Sequence, residues 1–354
     1  MRILGIETSC DETSVALLTG DGAVQANLIA SQIERHRPFG GVVPEIASRE
    51  HLKHFEPVLD AALGQAGISL EEVDLIAVTA GPGLIGALLV GVAAAQGLSY
   101  GLDIPLIDIN HLEGHIYSPY LRSTGPASPV PDRFLSVVVS GGHSSIYEVT
   151  PRSERTVRML NRTRDDAAGE VFDKVAKFVG LPYPGGPEVE RLSVNGDAGR
   201  YELPVARFKE ESVDFSFSGL KAMAIRIARN EHLEGAAQDL SREESTSKKL
   251  ADFCASVQRA IGDQLLDRLT TIWNGLAEQP DEVVLAGGVA ANGALRSRLE
   301  SWGSERDVLV RLPERRFCTD NGAMIAFAGL QKFSRGIEAD RLRVTARSRM
   351  AVSG

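Results

Sequence analysis

Cysteine is scarce in this chain of 354 residues, which contains only Cys10, Cys254 and Cys318. An odd and widely spaced set of this kind fits a reduced cytosolic protein better than a disulfide framework. Positive charge is also in deficit, because 38 Lys and Arg residues face 47 Asp and Glu residues and leave a formal net charge of -9. This balance argues against a stand-alone nucleic-acid-binding protein, since affinity for phosphate comes largely from clustered Lys and Arg, and it leaves room only for a local basic patch.

The sequence also lacks the features of a secreted or membrane protein. Its first residues, MRILGIETSC, have neither the basic segment nor the continuous apolar run of a signal peptide, so we expect a cytoplasmic protein. Residues 75–102 carry no charge and are long enough to cross a bilayer, but Pro82 and several glycines interrupt them. We interpret LIAVTA as a buried strand, AGPG as a turn and the segment that follows as a buried helix, which predicts no membrane insertion.

The length and the hydropathy pattern predict two packed α/β units, since roughly 100–200 residues make one domain. Residues 3–18 and 134–150 share one pattern, an apolar strand followed by a small polar turn and a second strand, which suggests an internal duplication. The Pro-rich stretch 123–132 predicts a surface loop that connects the lobes. The tail after Gly336 is interpreted as solvated. Contact to phosphates is the alternative, because the tail contains Arg341, Arg343, Arg347 and Arg349.

His111 and His115 are the sharpest local signal, because a spacing of four places both rings on one face of a helix. Two neutral imidazoles on one face make half of a typical transition-metal site, although an isolated pair of this spacing is more often two surface histidines. The segment NHLEGH also invites comparison with the HExxH motif of zinc proteases. At about 100° per residue, however, Glu113 points away from both histidines and cannot activate a water on their metal, so the protease hypothesis fails.

Glycine-rich turns recur in VSGGH, YPGGPEVERL and VLAGGVAANGAL. Paired glycines let backbone N–H groups approach a phosphate without obstruction by Cβ atoms, so the three turns together predict a nucleotide site. Each turn alone is a weak signal, because paired glycines also mark ordinary turns. The P-loop pattern, GxxxxGK followed by Ser or Thr, does not occur, and we do not expect a dinucleotide site.

Acidic residues at predicted helix starts have two interpretations. Asp165 and Asp166 precede a predicted helix, where an aspartate is usually an N-cap, whereas Asp173 interrupts an apolar pattern and is expected to face a ligand. Asp320 also opens a predicted helix, and the residues alone leave it either an N-cap or a metal ligand. Asn292 follows a glycine pair and either caps its helix or contacts a base edge.

Nine motifs follow one another in a fixed order: GIETSCDETSVAL, FGGVVPEIASREH, NHLEGHIYSPYL, VVVSGGHSSIYEV, DDAAGEVFDKVAK, YPGGPEVERL, DFSFSGLK, LAGGVAANGALR and CTDNGAMIA. Together they resemble the bacterial tRNA threonylcarbamoyladenosine transferase family (TsaD/Gcp), whose members were once called glycoproteases. The resemblance covers residues 2–333. It implies the actin/sugar-kinase/heat-shock-ATPase fold, an α/β fold of two ribonuclease-H-like lobes around a nucleotide cleft. We place the N-terminal lobe at 1–110 plus 323–345 and the C-terminal lobe at 111–322.

The resemblance implies that His111, His115 and Asp320 bind one divalent metal ion per subunit, Fe²⁺ with Zn²⁺ as the alternative. Two imidazoles and a carboxylate suit either ion. Asp11 or Glu12 would orient or deprotonate the attacking amine, although a solvated turn is the default interpretation of both. Further residues would bind the phosphate or carbonyl oxygens, the ribose and the adenine, namely Val138, Val139, Ser140, Gly141, Gly142, Asp173, Gly186, Glu190 and Asn292.

The implied reaction is an acyl transfer from threonylcarbamoyl-adenylate to the exocyclic amine of an adenine, with release of AMP. That adenine lies 3′ of the anticodon in tRNAs that read codons beginning with A. The resemblance further implies an acyl-adenylate synthase acting upstream, a paralogous non-catalytic partner subunit (TsaB-like) that docks on the N-terminal lobe, and a small P-loop ATPase partner (TsaE-like).

Two alternatives differ in class from the transferase. The first is an ATP-dependent small-molecule kinase of the same fold, which is weakened because Glu7 precedes Thr8 where such kinases place a glycine. The second is a non-catalytic scaffold, in which nucleotide binding gates the docking of partners. A small departure from the family pattern is Gly322, which stands where we expect alanine and for which we expect little consequence.

Overall fold

The computed structural model describes residues 1–150, 156–208, 212–239, 243–337 and 344–352. Within them the chain forms ten strands and ten α-helices. The strands are β1 (Arg2–Glu7), β2 (Glu12–Thr19), β3 (Val24–Ser31), β4 (Leu75–Gly81), β5 (Leu106–Asn110), β6 (Phe134–Val139), β7 (Ser144–Thr150), β8 (Thr156–Arg162), β9 (Glu282–Ala286) and β10 (Leu309–Arg311). The helices are α1 (Ile33–His36), α2 (Pro44–Ala66), α3 (Ile85–Leu102), α4 (His111–Tyr117), α5 (Ala168–Phe178), α6 (Gly185–Ser193), α7 (Ser218–Asn230), α8 (Glu244–Gly275), α9 (Gly293–Ser304) and α10 (Gly322–Phe333).

Two five-stranded sheets share one topology. In the first sheet the order is β3-β2-β1-β4-β5, with β2 antiparallel to β1 and β3, and with β4 parallel to β1 and β5. In the second the order is β10-β9-β6-β7-β8, with β7 antiparallel to β6 and with β9 parallel to β6 and β10. Each sheet therefore places its first strand in the centre, a hairpin on one side and parallel strands on the other, which confirms the predicted duplication at the level of topology.

The chain divides by its contacts into two compact units. The first comprises Met1–Asp132, Thr150–Val157 and Pro313–Gly354, and the second comprises Arg133–Val149 and Arg158–Leu312. The predicted connection at 123–132 ends at the first of these boundaries. This division groups residues 111–132 and 313–322 with the first sheet, whereas the sequence analysis assigned them to the C-terminal lobe. As a consequence, all three candidate metal ligands belong to the first unit.

Helices α2 and α3 pack against one hydrophobic cluster of the first unit. Helix α2 has Pro44 at its first position, where a missing N–H costs nothing, and it ends as predicted at Gly67, whose φ of 67° suits a glycine cap. Buried aliphatic side chains such as Leu4, Ile76 and Val92 join it in one cluster. Each such side chain stabilises the fold by roughly 1.5–3 kcal/mol through removal from water.

Helix α3 is long and apolar enough to cross a membrane by length and composition alone. One such helix is weak evidence for a span, because a core helix of a soluble protein passes the same test. Its inner face, which includes Leu88 and Val92, is buried in the first unit, as predicted for a core helix. Its outer face leaves the side chains of Ile85 and Leu89 about half exposed.

Helix α10 packs unusually close to the backbone of β1 and β2. A Cβ atom at Gly5 would lie 2.2 Å from the carbonyl oxygen of Gly322, and one at Gly322 would lie 2.7 Å from the backbone nitrogen of Ala16. Both distances are too short for a methyl group, so glycine is required at both positions. The expectation that glycine in place of alanine at position 322 has little consequence is therefore wrong for this backbone. The same close packing fixes the residues just before α10.

Residues 344–352 are not the solvated tail that we favoured from the sequence. Val344 is buried in the first core, and the backbone N–H of Arg347 donates to the carbonyl oxygen of Ala80 at 2.7 Å. The side chain of Gln96 donates to the carbonyl oxygen of Val344 at 3.0 Å. Arg341 and Arg343 lie outside the described residues. The described part of the tail is thus packed against the rest of the first unit. Sequence reasoning could not predict this, because its partners are 240 or more residues away in the sequence.

Candidate active site

Helix α4 carries both candidate histidines and starts directly at the end of β5. The side chain of Asn110 caps it by accepting a hydrogen bond from the backbone N–H of Leu112 at 2.9 Å. His111 and His115 are both buried, and their ring centroids are 4.7 Å apart. The predicted helical spacing is thus confirmed, and the two rings do not lie on an exposed face.

Asp320 faces the two histidines from the start of α10. The N-cap of this helix is Asn321, whose side chain accepts from the backbone N–H of Met324 at 3.0 Å, so Asp320 is not needed as a cap. One carboxylate oxygen of Asp320 lies 3.1 Å from Nε2 of His115 and 3.5 Å from Nε2 of His111. One ligand atom from each of the three residues falls within 4.8 Å of the others.

A buried carboxylate behind the histidines, that of Glu7, orients the ring of His111. It lies at the end of β1, and Oε2 is 3.1 Å from Nδ1 of His111 and accepts from the hydroxyl of Thr79 at 2.6 Å. The backbone N–H of Ser9 donates to Oε1. The hydroxyl of Ser9 is also 3.1 Å from Nδ1 of His111. Contacts at Nδ1 leave Nε2 directed at Asp320, which is the arrangement found behind metal-bound histidines.

Glu113 lies on the other face of α4, as its position in the sequence predicted. It forms a buried ion pair with Lys332 of α10, with 2.8 Å between Nζ and Oε2. Lys332 also donates to the backbone carbonyl of Asp108 at 3.3 Å. Loss of one partner of such a pair costs roughly 3–5 kcal/mol, because the other charge stays buried. The pair therefore fixes the helix with the histidines relative to the helix that follows Asp320.

The local charge of this cluster is negative. Burial alone would lower the pKa of His111, but Asp320 and Glu7 raise it to about 9. Burial disfavours the ionised form of Glu7, yet its contacts with His111 hold the pKa of this carboxyl below its usual range. Burial, and then the charge of Asp320, raise the pKa of Asp11. The cluster thus favours a positive charge at His111 or an added cation.

The residues present fit a divalent metal ion of the transition series. Two imidazole nitrogens and one carboxylate oxygen within 4.8 Å of one another make a donor set that iron and zinc both accept. Three protein ligands leave coordination positions for other oxygens. The shell behind the ligands is also present, because Glu7 orients His111 through Nδ1.

Asp11 lies in the loop after β1 and Glu12 begins β2, and a histidine that sequence reasoning missed holds this turn. His51 contacts the hydroxyl of Thr13 through Nδ1 at 2.7 Å and the carbonyl oxygen of Cys10 through Nε2 at 3.0 Å. Glu12 accepts from the hydroxyl of Ser31 at 2.8 Å. Burial, with repulsion from neighbouring carboxylates, raises the pKa of Glu12 to about 8. The two acids are half-buried, unlike the solvated turn that is the default for such a sequence.

In the second unit, the turn between β6 and β7 exposes backbone where the sequence predicted contacts to phosphate or carbonyl oxygens. Val138 and Val139 are buried in the strand, and Ser140 closes the turn with His143. The positions of Cβ atoms at Gly141 and Gly142 are open, with no atom within 4 Å. The backbone of this turn is therefore accessible to a ligand.

The predicted ribose and adenine residues also meet within the second unit. Asp173 accepts from the backbone N–H of Gly185 at 2.7 Å, next to Gly186 at the start of α6. Glu190 accepts from the backbone N–H of Gly293 at 2.7 Å. Both carboxylates therefore stabilise backbone at the glycine-rich turns.

Asn292 is the N-cap of α9, which was one of its two predicted roles. Its side chain accepts from the backbone N–H of Leu295 at 2.9 Å and donates to Gln258 at 2.6 Å. Together with the contact between Glu190 and Gly293, this brings the turn before α9 next to α6.

Asp165 and Asp166 do not cap the helix that follows them, so that prediction is wrong. The N-cap of α5 is Ala167. Asp165 instead accepts from the backbone N–H groups of Phe217 and Ser218 and thereby binds the start of α7. Asp166 pairs with Lys174 and Lys221. A partner some fifty residues away cannot be read from local spacing.

A pattern that sequence reasoning missed, GxGxxG, occurs at 81–86 between β4 and α3. It does not form a phosphate-binding turn, because its three glycines serve close packing. Cβ atoms at Gly81, Gly83 and Gly86 would lie 2.1 Å from the carbonyl oxygen of Arg347, 2.6 Å from that of Ser9 and 2.3 Å from the hydroxyl of Ser48. The space above this turn is taken by the chain itself.

The chain is similar in sequence to proteins of one family. The profile of the family described as TsaD, tRNA N6-adenosine threonylcarbamoyltransferase, matches residues 23–327. Relatives of that name from Moorella thermoacetica and Anaeromyxobacter sp. are each 47% identical to the chain. These alignments cover 94% and 96% of this chain and 92% and 96% of the relatives.

Among solved structures, the activator of the 2-hydroxyisocaproyl-CoA dehydratase from Clostridium difficile, with bound ADPNP, has a TM-score of 0.54 at 15% identity. That comparison covers 95% of this chain and 97% of the activator, and it confirms the predicted fold class without bearing on activity. The matches in sequence are far closer and run along nearly the whole length. The chain belongs to the tRNA N6-adenosine threonylcarbamoyltransferase family.

Proposed function

We propose that this chain transfers the threonylcarbamoyl group of threonylcarbamoyl-adenylate to the exocyclic amine of the adenine 3′ of the anticodon, in tRNAs that read codons beginning with A. The amine nitrogen forms a bond to the carbamoyl carbon as the bond from that carbon to the adenylate oxygen breaks. The amine loses one proton, and AMP leaves. The observation that carries the proposal is the cluster of His111, His115 and Asp320 in a chain of this family. The family match favours this function over a kinase or a non-catalytic scaffold.

The three clustered residues would hold one divalent ion, Fe²⁺ with Zn²⁺ as the alternative. Lewis-acid polarisation of the acyl or phosphate oxygens is the chemistry that a bound ion supplies in such a site. His111 is suited to a ligand role because Glu7 engages its Nδ1, and Asp320 because Asn321 takes over the cap of α10.

The second unit would bind the adenylate through backbone and carboxylates. The open turn at Ser140, Gly141 and Gly142 offers N–H groups to phosphate or carbonyl oxygens. Asp173 and Glu190 already accept backbone N–H groups, and a carboxylate with two oxygens can accept ribose hydroxyls in addition. Gly186 and Asn292 would complete the adenine side, since both lie in turns next to these acids.

Asp11 or Glu12 would take the proton of the amine, and the raised pKa of Glu12 counts against that side chain. A general base must be ionised at the working pH. The pKa of Glu12 is raised to about 8 by burial, so this side chain holds its proton at neutral pH. Glu12 is also engaged by Ser31. We assign Glu12 the role of orienting the amine or the loop.

An apolar face of the first unit would bind the paralogous non-catalytic partner subunit. Gly86 of α3 contacts Ser48 of α2. Close to this contact, the large side chains of Leu52, Ile85 and Leu89 are exposed. A contiguous exposed apolar patch on a soluble protein marks an interaction surface. The small P-loop ATPase and the upstream synthase are expected as further partners in the cytoplasm, where tRNA is modified.

Two arginines would contact the tRNA backbone. Arg347 and Arg349 are exposed, and they lie on a segment whose backbone is bonded to Ala80 and Asn110, next to the histidine helix. Arginine side chains recognise phosphates through paired N–H groups. The whole chain is acidic although its proposed substrate is RNA, and a local pair of arginines would supply positive charge where the RNA binds.

Replacement of His111 by alanine tests the reaction and its metal site together. We expect the His111→Ala chain to lose its bound metal and to release AMP from threonylcarbamoyl-adenylate and tRNA at least about 100-fold more slowly. Metal content is measured by elemental analysis and AMP by chromatography, with the partner proteins present. His232→Asn is the matched control, since this exposed histidine has a φ of 57° that asparagine tolerates. Unchanged metal content and rate in His111→Ala would exclude the site.

The pH dependence of stability tests the raised pKa of Glu12. Because the folded-state pKa is about 8 and the ordinary value is 4.5, the folded chain holds the extra proton, and stability falls as pH rises between these values. Glu12→Gln carries no such proton, so its loss of stability from about pH 5 to about pH 8 should be smaller than that of the wild type. Urea unfolding of the metal-free chain measures both, and Glu34→Gln, at an exposed site, serves as control. Parallel pH profiles of wild type and Glu12→Gln would contradict the assignment.

A charge in the apolar face tests the docking of the partner subunit. Leu89→Asp should weaken binding of the paralogue more than about tenfold, because a carboxylate would be desolvated in the interface. Val194→Asp is the control, since this valine is 77% exposed but belongs to the second unit. Calorimetry or gel filtration of the mixture reads out the complex. Equal affinities for the two variants would place the partner elsewhere.

The salt dependence of tRNA binding tests the two arginines. Removal of both side chains, Arg347→Ala with Arg349→Ala, should reduce the slope of log affinity against log salt by about 1–2 and should weaken binding of all tRNAs alike. The same change at Arg191 and Arg207, two exposed arginines of the second unit, is the control. Filter binding at several salt concentrations gives both slopes. A slope that matches the wild type would show that these arginines do not reach phosphates.

A further inference from the structure

The C-terminal segment 344–352 crosses the carboxyl ends of two neighbouring parallel strands. The backbone N–H of Arg347 donates to Ala80 near the end of β4, and both Met350 and Ala351 accept from Asn110 at the end of β5. In α/β folds the carboxyl edge of parallel strands is where ligands bind. Here the chain's own terminus occupies part of that edge.

Asn110 connects this segment to the histidine helix through both ends of its amide. Its Nδ2 donates to the carbonyl oxygens of Met350 at 3.1 Å and Ala351 at 3.0 Å. Its Oδ1 accepts from the backbone N–H of Leu112 at 2.9 Å and so caps α4. The side chain is fully buried, and the next residue is His111. The orientation of one planar amide therefore couples the tail to the first turn that carries the histidines.

A second connection reaches His111 through the turn after β4. Ser348 accepts from the backbone N–H of Gly83, and the next N–H, that of Leu84, donates to the carbonyl oxygen of Ser9 at 2.8 Å. The hydroxyl of Ser9 lies 3.1 Å from Nδ1 of His111. The segment thus contacts the start of α4 directly, and it reaches the loop after β1 only through the turn after β4.

The segment is anchored firmly enough to transmit a constraint. Val344 is buried in the core and its carbonyl oxygen accepts from Gln96. The backbone of Arg347 lies so close to Gly81 that a Cβ atom there would be 2.1 Å from its oxygen. Only glycine permits this approach.

We propose that residues 344–352 are a positioning strap for the candidate metal site, acting through Asn110 and through Ser9 on His111. This inference rests on the metal role proposed for His111, but the constraint on α4 itself does not. Without the strap, Nδ2 of Asn110 loses its two acceptors, the first turn of α4 becomes freer, and the histidines sample geometries that bind an ion less well.

The variant Asn110→Asp separates the strap from the helix cap. Aspartate caps a helix as well as asparagine does, so the contact to Leu112 is kept. It has no N–H to donate, and its carboxylate would face the carbonyl oxygens of Met350 and Ala351. A second variant ends the chain after Arg347 and keeps the anchor at Ala80. The matched control ends after Val352 and retains every contact described here.

Hydrogen exchange measures the constraint on α4, and metal titration measures the effect on the candidate metal site, both in the full chain. In Asn110→Asp and in the chain ending at Arg347, we expect amides of 111–117 to exchange about tenfold faster than in the wild type, with smaller changes elsewhere in the first unit. Affinity for Zn²⁺, measured against a chromogenic chelator, should fall by about 10–100-fold. Val58→Ala, a change in the hydrophobic cluster that also contains Val344 but at a residue outside the hydrogen bonds of the strap, should lower overall stability and leave the affinity of the folded chain unchanged.

Several results would overturn the proposal. It fails if α4 exchanges as in the wild type in both variants, if exchange rises equally throughout the first unit, or if Val58→Ala lowers the affinity as much as Asn110→Asp does. A wild-type chain that binds no Zn²⁺ or Fe²⁺ would instead contradict the proposed metal site, and the exchange of α4 would still decide on the strap. If the shortened chain does not fold, Asn110→Asp alone decides.

Discussion

One buried carboxylate, that of Glu7, holds together the segments on which the candidate site depends. A buried charge is costly unless charged or hydrogen-bonding partners compensate it. Glu7 has three such partners, Ser9 in the loop after β1, Thr79 on β4 and His111 on α4. Because each partner belongs to a different segment, none of the three segments can shift without leaving the charge partly uncompensated. The position of the ligand ring follows from this constraint.

The same group of acids favours a positive charge at the candidate site. Asp320 and Glu7 raise the pKa of His111 to about 9 against the effect of burial. A metal ligand must be neutral imidazole. A bound ion and the proton on His111 are therefore alternative sources of the same positive charge, and the carboxylates stabilise either one. The ion pair of Glu113 with Lys332 is separate, since it lies on the opposite face of α4 and serves to fix the helices.

Local spacing was enough to predict the secondary-structure elements that carry the site. Contacts between residues far apart in the sequence could not be predicted in this way. The interval between His111 and His115 predicted one helical face, and the glycine after α2 predicted where that helix ends. Sequence left Asp320 undecided because a cap and a ligand look alike, and only the contact of Asn321 with Met324 separates them. Asp165 was misassigned because its partners, at the start of α7, are more than fifty residues away. Which segments meet across a sheet depends on the whole fold and not on the spacing within one segment.

For residues 344–352, the residue types within the segment led to the wrong prediction of its environment. The sequence analysis favoured a solvated tail, and the side chains of Arg347 and Arg349 are indeed exposed. Its backbone, however, donates to Ala80 near the end of β4 and accepts from Asn110 at the end of β5, and a glycine at position 81 makes room for it. A net charge of -9 for the whole chain says little about such a place, because charge screened over about 10 Å acts locally. We propose that one short segment both braces the candidate metal site with its backbone and presents positive charge to RNA with its side chains.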